Sequence, residues 1–234
     1  MTAETDREMS LLDHLAELRT RLMIAALGVL VTTALSFVFT GQIIRWLLIP
    51  SGLLSLQVLN PTEAFTTYFR VALFSGIALA MPVILYQLFR YIDPALHAHE
   101  RRFVLVLSLP VLGLFLLGIA FCYYVLLPNA IPFLLSFGGE VFHADIRANE
   151  YLSFVTTFML AMGLVFEMPA IIFALVKVGV LRRAWLAKQR RYVFLAAFII
   201  GAILTPTPDP FNQTLVSLPL YVLFELGLLL SRFA

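Results

Sequence analysis

Six stretches of the chain are almost wholly apolar, and the polar residues collect between them. The apolar runs cover residues 22–39, 71–88, 103–127, 154–176, 192–204 and 215–230. Each of the first four has about the length, roughly 20 residues, that a helix needs to cross a hydrocarbon core about 30 Å thick. The fifth run is shorter, and its 13 residues reach only about 20 Å at 1.5 Å each. The sixth is also short. Both must tilt little, thin the bilayer, or end where protein or water covers their backbone. A short apolar run alone would equally suit the core helix of a soluble protein, but four neighbouring spans argue against that here. The pattern predicts an all-α polytopic membrane protein: six transmembrane helices in a curved bundle, the last two short, forming a single membrane domain over residues 1–234.

The polar stretches refine this picture. Residues 9–21 read as an amphipathic helix that leads into the first span, with Leu11, Leu15, Leu18 and Leu22 on one stripe. Ser10 followed by Asp13 resembles a capping box. The connections 40–70 and 128–153 are long and hold Pro50, Pro61, Pro128 and Pro132. Connections of that length usually carry short helices or a functional cap, so rigid helical caps are expected on the outer face. Pro82, Pro110, Pro169 and Pro219 fall inside spans, and each removes a backbone donor and favours a kink. No internal repeat is visible, so an inverted-repeat transporter is not indicated.

Composition and charge support lipid as the solvent. Hydrophobic residues make up 61% of the 234 and charged residues 13%, against about a quarter charged in soluble domains. The first 21 residues are charged and contain no apolar core of a cleavable signal, so the first span is expected to be retained. Of the basic residues, only Arg45, Arg70 and Arg147 fall in the first, third and fifth connections. The other thirteen lie in the N-terminal segment, the second and fourth connections and the tail. The positive-inside rule then places both termini in the cytoplasm and favours an even number of crossings.

Few residues carry candidate chemistry. Cys122 lies alone in an apolar run, which excludes an internal disulfide and suits a small packing residue. His14, His97, His99 and His143 form no metal-ligand spacing. Neither a His-Glu-x-x-His metalloprotease motif nor a nucleophile elbow is present. No cofactor, metal, nucleic-acid or enzymatic role is indicated. Glu17 and Arg21 stand four apart, which by itself predicts a modest surface ion pair. Glu100, with Arg101 and Arg102 beside it, has the same plain reading. Glu167 differs, because it lies in the middle of the fourth span, where a carboxyl costs about 2.5–3.5 kcal/mol. It is either an internal hydrogen-bonding partner or a functional group. Glu225 lies nearer a span end and can reach the interface. On these residues alone, a solute transporter using Glu167 and a receptor stand equally.

The order of short motifs separates the two. His14-Leu-Ala-Glu-Leu-Arg-Thr-Arg21, Pro82-Val-Ile-Leu-Tyr-Gln87, Pro94-Ala-Leu with His99-Glu100-Arg101, Tyr151-Leu-Ser-Phe154, Phe166-Glu-Met-Pro169, and Leu204-Thr-Pro with Asp209 and Gln213-Thr-Leu215 follow one another across the chain. In this the chain resembles TatC, the multispanning signal-peptide receptor subunit of the twin-arginine protein translocase. The resemblance implies a protein of the bacterial inner membrane that binds signal peptides bearing paired arginines. It implies transport of folded proteins driven by the proton gradient, with TatA-like and TatB-like single-span partners in an oligomeric complex. It assigns Glu17 and Glu100 to recognition of the arginine pair, with Arg19, Tyr91 and Pro94 in the same signal-peptide site. Pro50 and Asp209 match other functional positions, and Glu167 becomes an intramembrane contact for a partner's helix. Tyr91 replaces a common Phe, and the segment Thr205-Pro-Thr-Pro-Asp-Pro210 is one residue longer than the family pattern.

Overall fold

The computed structural model describes residues 11–52, 56–92, 98–136, 146–177, 179–205 and 209–233, with 11, 12, 51, 89, 92 and 98–109 as backbone only. Nine α-helices account for most of these residues: α1 (Leu11–Leu48), α2 (Pro61–Ile92), α3 (Ala98–Phe121), α4 (Leu127–Ser136), α5 (Ala148–Phe166), α6 (Met168–Lys177), α7 (Arg183–Lys188), α8 (Arg190–Leu204) and α9 (Pro210–Leu230). A π-helical turn, Cys122–Leu126, joins α3 to α4 without a break. Among the described residues, five helical stretches are long and apolar enough to cross a membrane: Asp13–Leu48, Pro61–Leu88, Pro110–Ser136, Ala148–Lys177 and Pro210–Leu230. α8 has 15 residues, about 22 Å of helix.

The helices run beyond the apolar stretches that announce them. α1 is continuous from Leu11 to Leu48, so the amphipathic lead and the first span are one rod of about 57 Å. Its lipid-facing side is apolar along much of its length: Leu22, Leu27, Leu30, Leu35 and Val38 are all exposed. Contiguous apolar surface of that extent is stable only against hydrocarbon. α2 and α3 pass through Pro82 and Pro110 without ending. The third connection holds α4, which continues the apolar stretch Pro110–Ser136 rather than standing apart from it. Among the described residues the first, besides the ends of α1 and α2, holds a 3-10 turn, Ile49–Ser51, and an extended piece in which Gln57 pairs in parallel with Arg147.

Small residues set the closest helix crossings, as expected where packing rather than water exclusion holds helices together. A Cβ on Gly76 of α2 would run into the backbone of Thr33 on α1. The approach lets Thr32 donate from Oγ1 to the Gly76 carbonyl at 2.7 Å. A Cβ on Gly118 of α3 would stand 2.6 Å from the Met162 carbonyl of α5. Around these crossings Val71, Leu126, Leu127, Leu152, Val155, Met162, Val216 and Leu220 are shut away from solvent and lipid. α7 docks separately, with Leu186 packed against Ile172, Phe224 and Leu228.

Candidate functional site

The end of the bundle at which α1 begins and α2 finishes carries the first cluster. His14 of α1 stacks on Tyr91 of α2 with centroids 4.5 Å apart, which fixes the two helix ends side by side. Glu17 lies one turn further along α1. Its Oε1 accepts from Arg21 Nη2 at 3.1 Å and from Arg21 Nε at 3.3 Å. Arg21 Nη1 donates in turn to Gln87 Oε1 at 3.4 Å. The simple intrahelical pair is therefore formed. It is also tethered across to α2, and it leaves Glu17 Oε2 without a partner among the described residues. The Glu17 side chain is 16% exposed, so this carboxylate is largely withdrawn from water and a new charged partner would meet little competition from it.

The other predicted members of this site distribute unevenly. Arg19 is exposed on α1, two residues from Glu17 and so off its face of the helix. Glu100 falls in the first turn of α3, and its side chain is outside the described residues. Pro94 also lies outside them. Gln87 was not singled out as a functional residue from sequence; its signal was an amide closing an apolar span directly after Pro82-Val-Ile-Leu-Tyr86.

Glu167 occupies the break between α5 and α6. Its amide donates to Leu164 O at 3.1 Å, and its carbonyl accepts from Ile171 N at 3.0 Å. The residue is 4% exposed, and neither carboxylate oxygen has a hydrogen-bond partner. The internal partner that would make it a routine buried carboxyl is therefore absent among the described residues. Glu225, by contrast, is satisfied: Arg190 Nε and Nη2 reach its two oxygens at 2.7 and 2.8 Å, and Tyr221 donates to it at 3.0 Å.

Pro50 and Asp209 serve helix ends. Pro50 lies in the turn that closes α1, and having no N–H it leaves the Trp46 carbonyl four residues back without its helical donor. Tyr123 Oη donates to that carbonyl at 2.9 Å while its ring stacks on Trp46 at 3.9 Å. Tyr151 Oη donates to the next carbonyl, Leu47 O, at 2.9 Å. Asp209 is the N-cap of α9: its Oδ1 accepts from Asn212 N at 2.7 Å and its Oδ2 from Asn212 Nδ2 at 2.9 Å, with Pro210 at the first helical position.

A further cluster at the opposite end was not legible in the sequence. Glu63, in the first turn of α2, accepts from Leu59 N at 3.0 Å through Oε2 and from Asn149 N at 3.4 Å through Oε1. One carboxylate thereby caps its own helix and also α5, whose N-cap residue Arg147 makes no side-chain cap bond.

Comparisons with known proteins bear on the whole chain. Residues 13–219 match the family model described as Sec-independent protein translocase protein (TatC). The TatC protein of Aquifex aeolicus is 38% identical over 97% of this chain and 96% of its own. That of Carboxydothermus hydrogenoformans is 34% identical over 97% and 95%, and that of Escherichia coli K12 is 37% identical over 95% and 88%. Two crystal structures of the twin-arginine translocase receptor TatC, one in the detergent DDM, superpose with TM-scores of 0.82 and 0.85. Each is 37% identical, and they cover 94% and 93% of this chain. Continuous matches of this length, together with the five apolar helices, make the chain a multi-pass membrane protein and a translocase component, not an enzyme: it belongs to the TatC family of Sec-independent protein translocase proteins.

Proposed function

We propose that this protein is the signal-peptide receptor of a twin-arginine translocase in the bacterial inner membrane. In this reading the chain is one membrane domain with six crossings, α8 being the short fifth, and both termini face the cytoplasm. The thirteen basic residues on the α1-entry side support that orientation. Glu17 and Glu100 receive the two signal-peptide arginines, with Arg19, Tyr91 and Pro94 around them. Glu167 receives a polar group from the transmembrane helix of a TatA-like or TatB-like partner, and Pro50 and Asp209 hold the helix ends on which the receptor's shape depends.

The observation that carries the reading is the half-engaged Glu17 carboxylate at the α1–α2 contact, one oxygen held through Arg21 and Gln87 and the other open. An incoming guanidinium, planar and always charged, can grip a carboxylate through two parallel hydrogen bonds, which an ammonium cannot reproduce. Such a bond contributes about 1.5–3 kcal/mol, against about 0.3–0.5 kcal/mol for the intrahelical pair it displaces. The test is binding of a twin-arginine signal peptide to the purified full-length protein. Glu17→Ala and Glu100→Ala are expected each to weaken binding at least about tenfold, and a twin-lysine peptide to lose at least as much. Unchanged affinity in the double variant would sink the assignment.

A further inference from the structure

The end of the bundle where α1 finishes and α5 begins has a step in it. α8 stops at Leu204, beside Phe154 and Phe158 of α5, and the first turns of α5 and α2 stand beyond it. Between them lies a cleft of about 420 Å³ whose lining includes Arg70, Asn149, Ser153, Phe154, Phe158 and Ile203. One side is polar and the other apolar. Arg70, half-buried on α2, makes a single hydrogen bond, Nη1 to Asn149 Oδ1 at 3.0 Å. Its guanidinium has five N–H donors, and no ion pair engages it among the described residues. The nearby carboxylates are committed elsewhere. Glu63 is buried and takes the amides of Leu59 and Asn149, and Glu150, which also lines the cleft, is exposed and pairs with Arg147 at 3.4 Å. The Ser153 and Thr157 hydroxyls line the same cleft and make no hydrogen bond among the described residues.

An unpaired guanidinium at this depth is costly unless an anion meets it. The site supplies what such an anion would need: a cation, two hydroxyl-bearing residues and, in the same cleft, apolar surface from half-buried Phe154 and the 76% exposed Ile203. A group that is anionic at one end and hydrocarbon at the other, delivered from the membrane, fits that order. We propose that the cleft is a phospholipid site, in which Arg70 binds the lipid phosphate and one acyl chain lies along Ile203 and Phe154. Arginine suits a phosphate because its fork bonds two oxygens at once. The bilayer has its own reason to place a lipid there, because beside a helix as short as α8 the headgroups must sink toward its end. The inference takes from the proposed topology only which leaflet supplies the lipid, namely the outer one.

Native mass spectrometry of the full-length protein released from micelles tests it with three probes: dioleoylphosphatidylglycerol, dioleoylglycerol with the same chains and no phosphate, and glycerol-3-phosphate with no chains. The phospholipid is expected to bind about tenfold or more tightly than either of the others. Arg70→Gln should reduce it to the level of dioleoylglycerol, and Arg70→Lys should restore part of the difference. Ile203→Trp, at an exposed position where folding is not at risk, should block the acyl path and weaken binding with Arg70 intact. Equal binding of phospholipid and dioleoylglycerol, or full binding by both Arg70→Gln and Ile203→Trp, would overturn the proposal. Micelles have no sides, so this outcome is independent of the topology. Labelling of Ile203→Cys by an impermeant thiol reagent from the cytoplasmic side alone would overturn the leaflet and the topology while leaving the site standing.

Discussion

At the scale of single residues, the two glutamates of interest differ in what the fold has done for them. Glu17 is provided for: Arg21 and Gln87 hold one oxygen in place. Because that pair must yield before a peptide arginine can take both oxygens, Arg21→Ala should tighten signal-peptide binding by about twofold, the equivalent of 0.3–0.5 kcal/mol. Titration calorimetry will read this, and a fall of more than about fivefold would make Arg21 part of the binding site instead. Glu167 is not provided for, being buried with both oxygens unpartnered. A buried polar group without a partner costs about 1–3 kcal/mol. Glu167→Leu, which keeps the volume and removes the carboxyl, is expected to stabilise the isolated protein by about that amount in thermal unfolding. The same variant should lose co-purification with single-span partners. Lower stability would mean that the carboxyl already has a partner inside the subunit.

At the scale of elements, helix ends are tied to distant helices through single hydrogen bonds. Pro50 removes the donor that the Trp46 carbonyl needs, and Tyr123, presented from the π-helical turn, replaces it. Tyr123 is itself buried, so losing its hydroxyl leaves the carbonyl facing a packed interior. Tyr123→Phe should therefore cost about 1–3 kcal/mol. Adding Pro50→Ala, which returns an N–H within reach of Trp46 O, should recover about 1 kcal/mol of it. Strict additivity of the two changes, by thermal unfolding in micelles, would show that the carbonyl is satisfied in another way. This coupling also marks where reading the sequence stops. Apolar runs were legible because lipid imposes composition directly on every exposed position, and the ends of α1 near Leu48 and of α2 near Pro61 were not, because Trp46 and Glu63 are interfacial or polar residues held by tertiary partners, Tyr123 and Asn149. The α5–α6 break was signalled by Glu167 beside Pro169. The union of Glu63 with Asn149 was invisible, since their pairing across 86 residues leaves no local trace. Glu63→Ala should accordingly loosen both helix starts, with hydrogen exchange rising at the first turns of α2 and α5 together. A change confined to α2 would count against the shared cap.

At the scale of the molecule, the proposed six crossings would make the helices disagree about the thickness of the membrane they occupy. α1 has 38 residues and α8 has 15, about 57 Å against about 22 Å. A long helix absorbs mismatch by tilting or by extending into water, whereas a short one forces the bilayer to thin or exposes its last carbonyls to lipid. The far end of α8 is also where Asp209 caps α9, where Phe133 of α4 stacks on Phe211 at 4.8 Å, and where the Arg70 cleft opens. Strain from a thick bilayer should therefore enter the protein there, at a cost of a fraction of a kcal/mol per ångström. Reconstitution into bilayers of increasing acyl length is expected to raise hydrogen exchange at the end of α8 and the start of α9, with α1 and α2 unchanged. Phospholipid at the step should blunt the effect, so Arg70→Gln should shift the onset to thinner bilayers. Equal loss of protection in α1 and α8 would instead place the mismatch over the whole bundle and remove the special standing of the α8–α9 end.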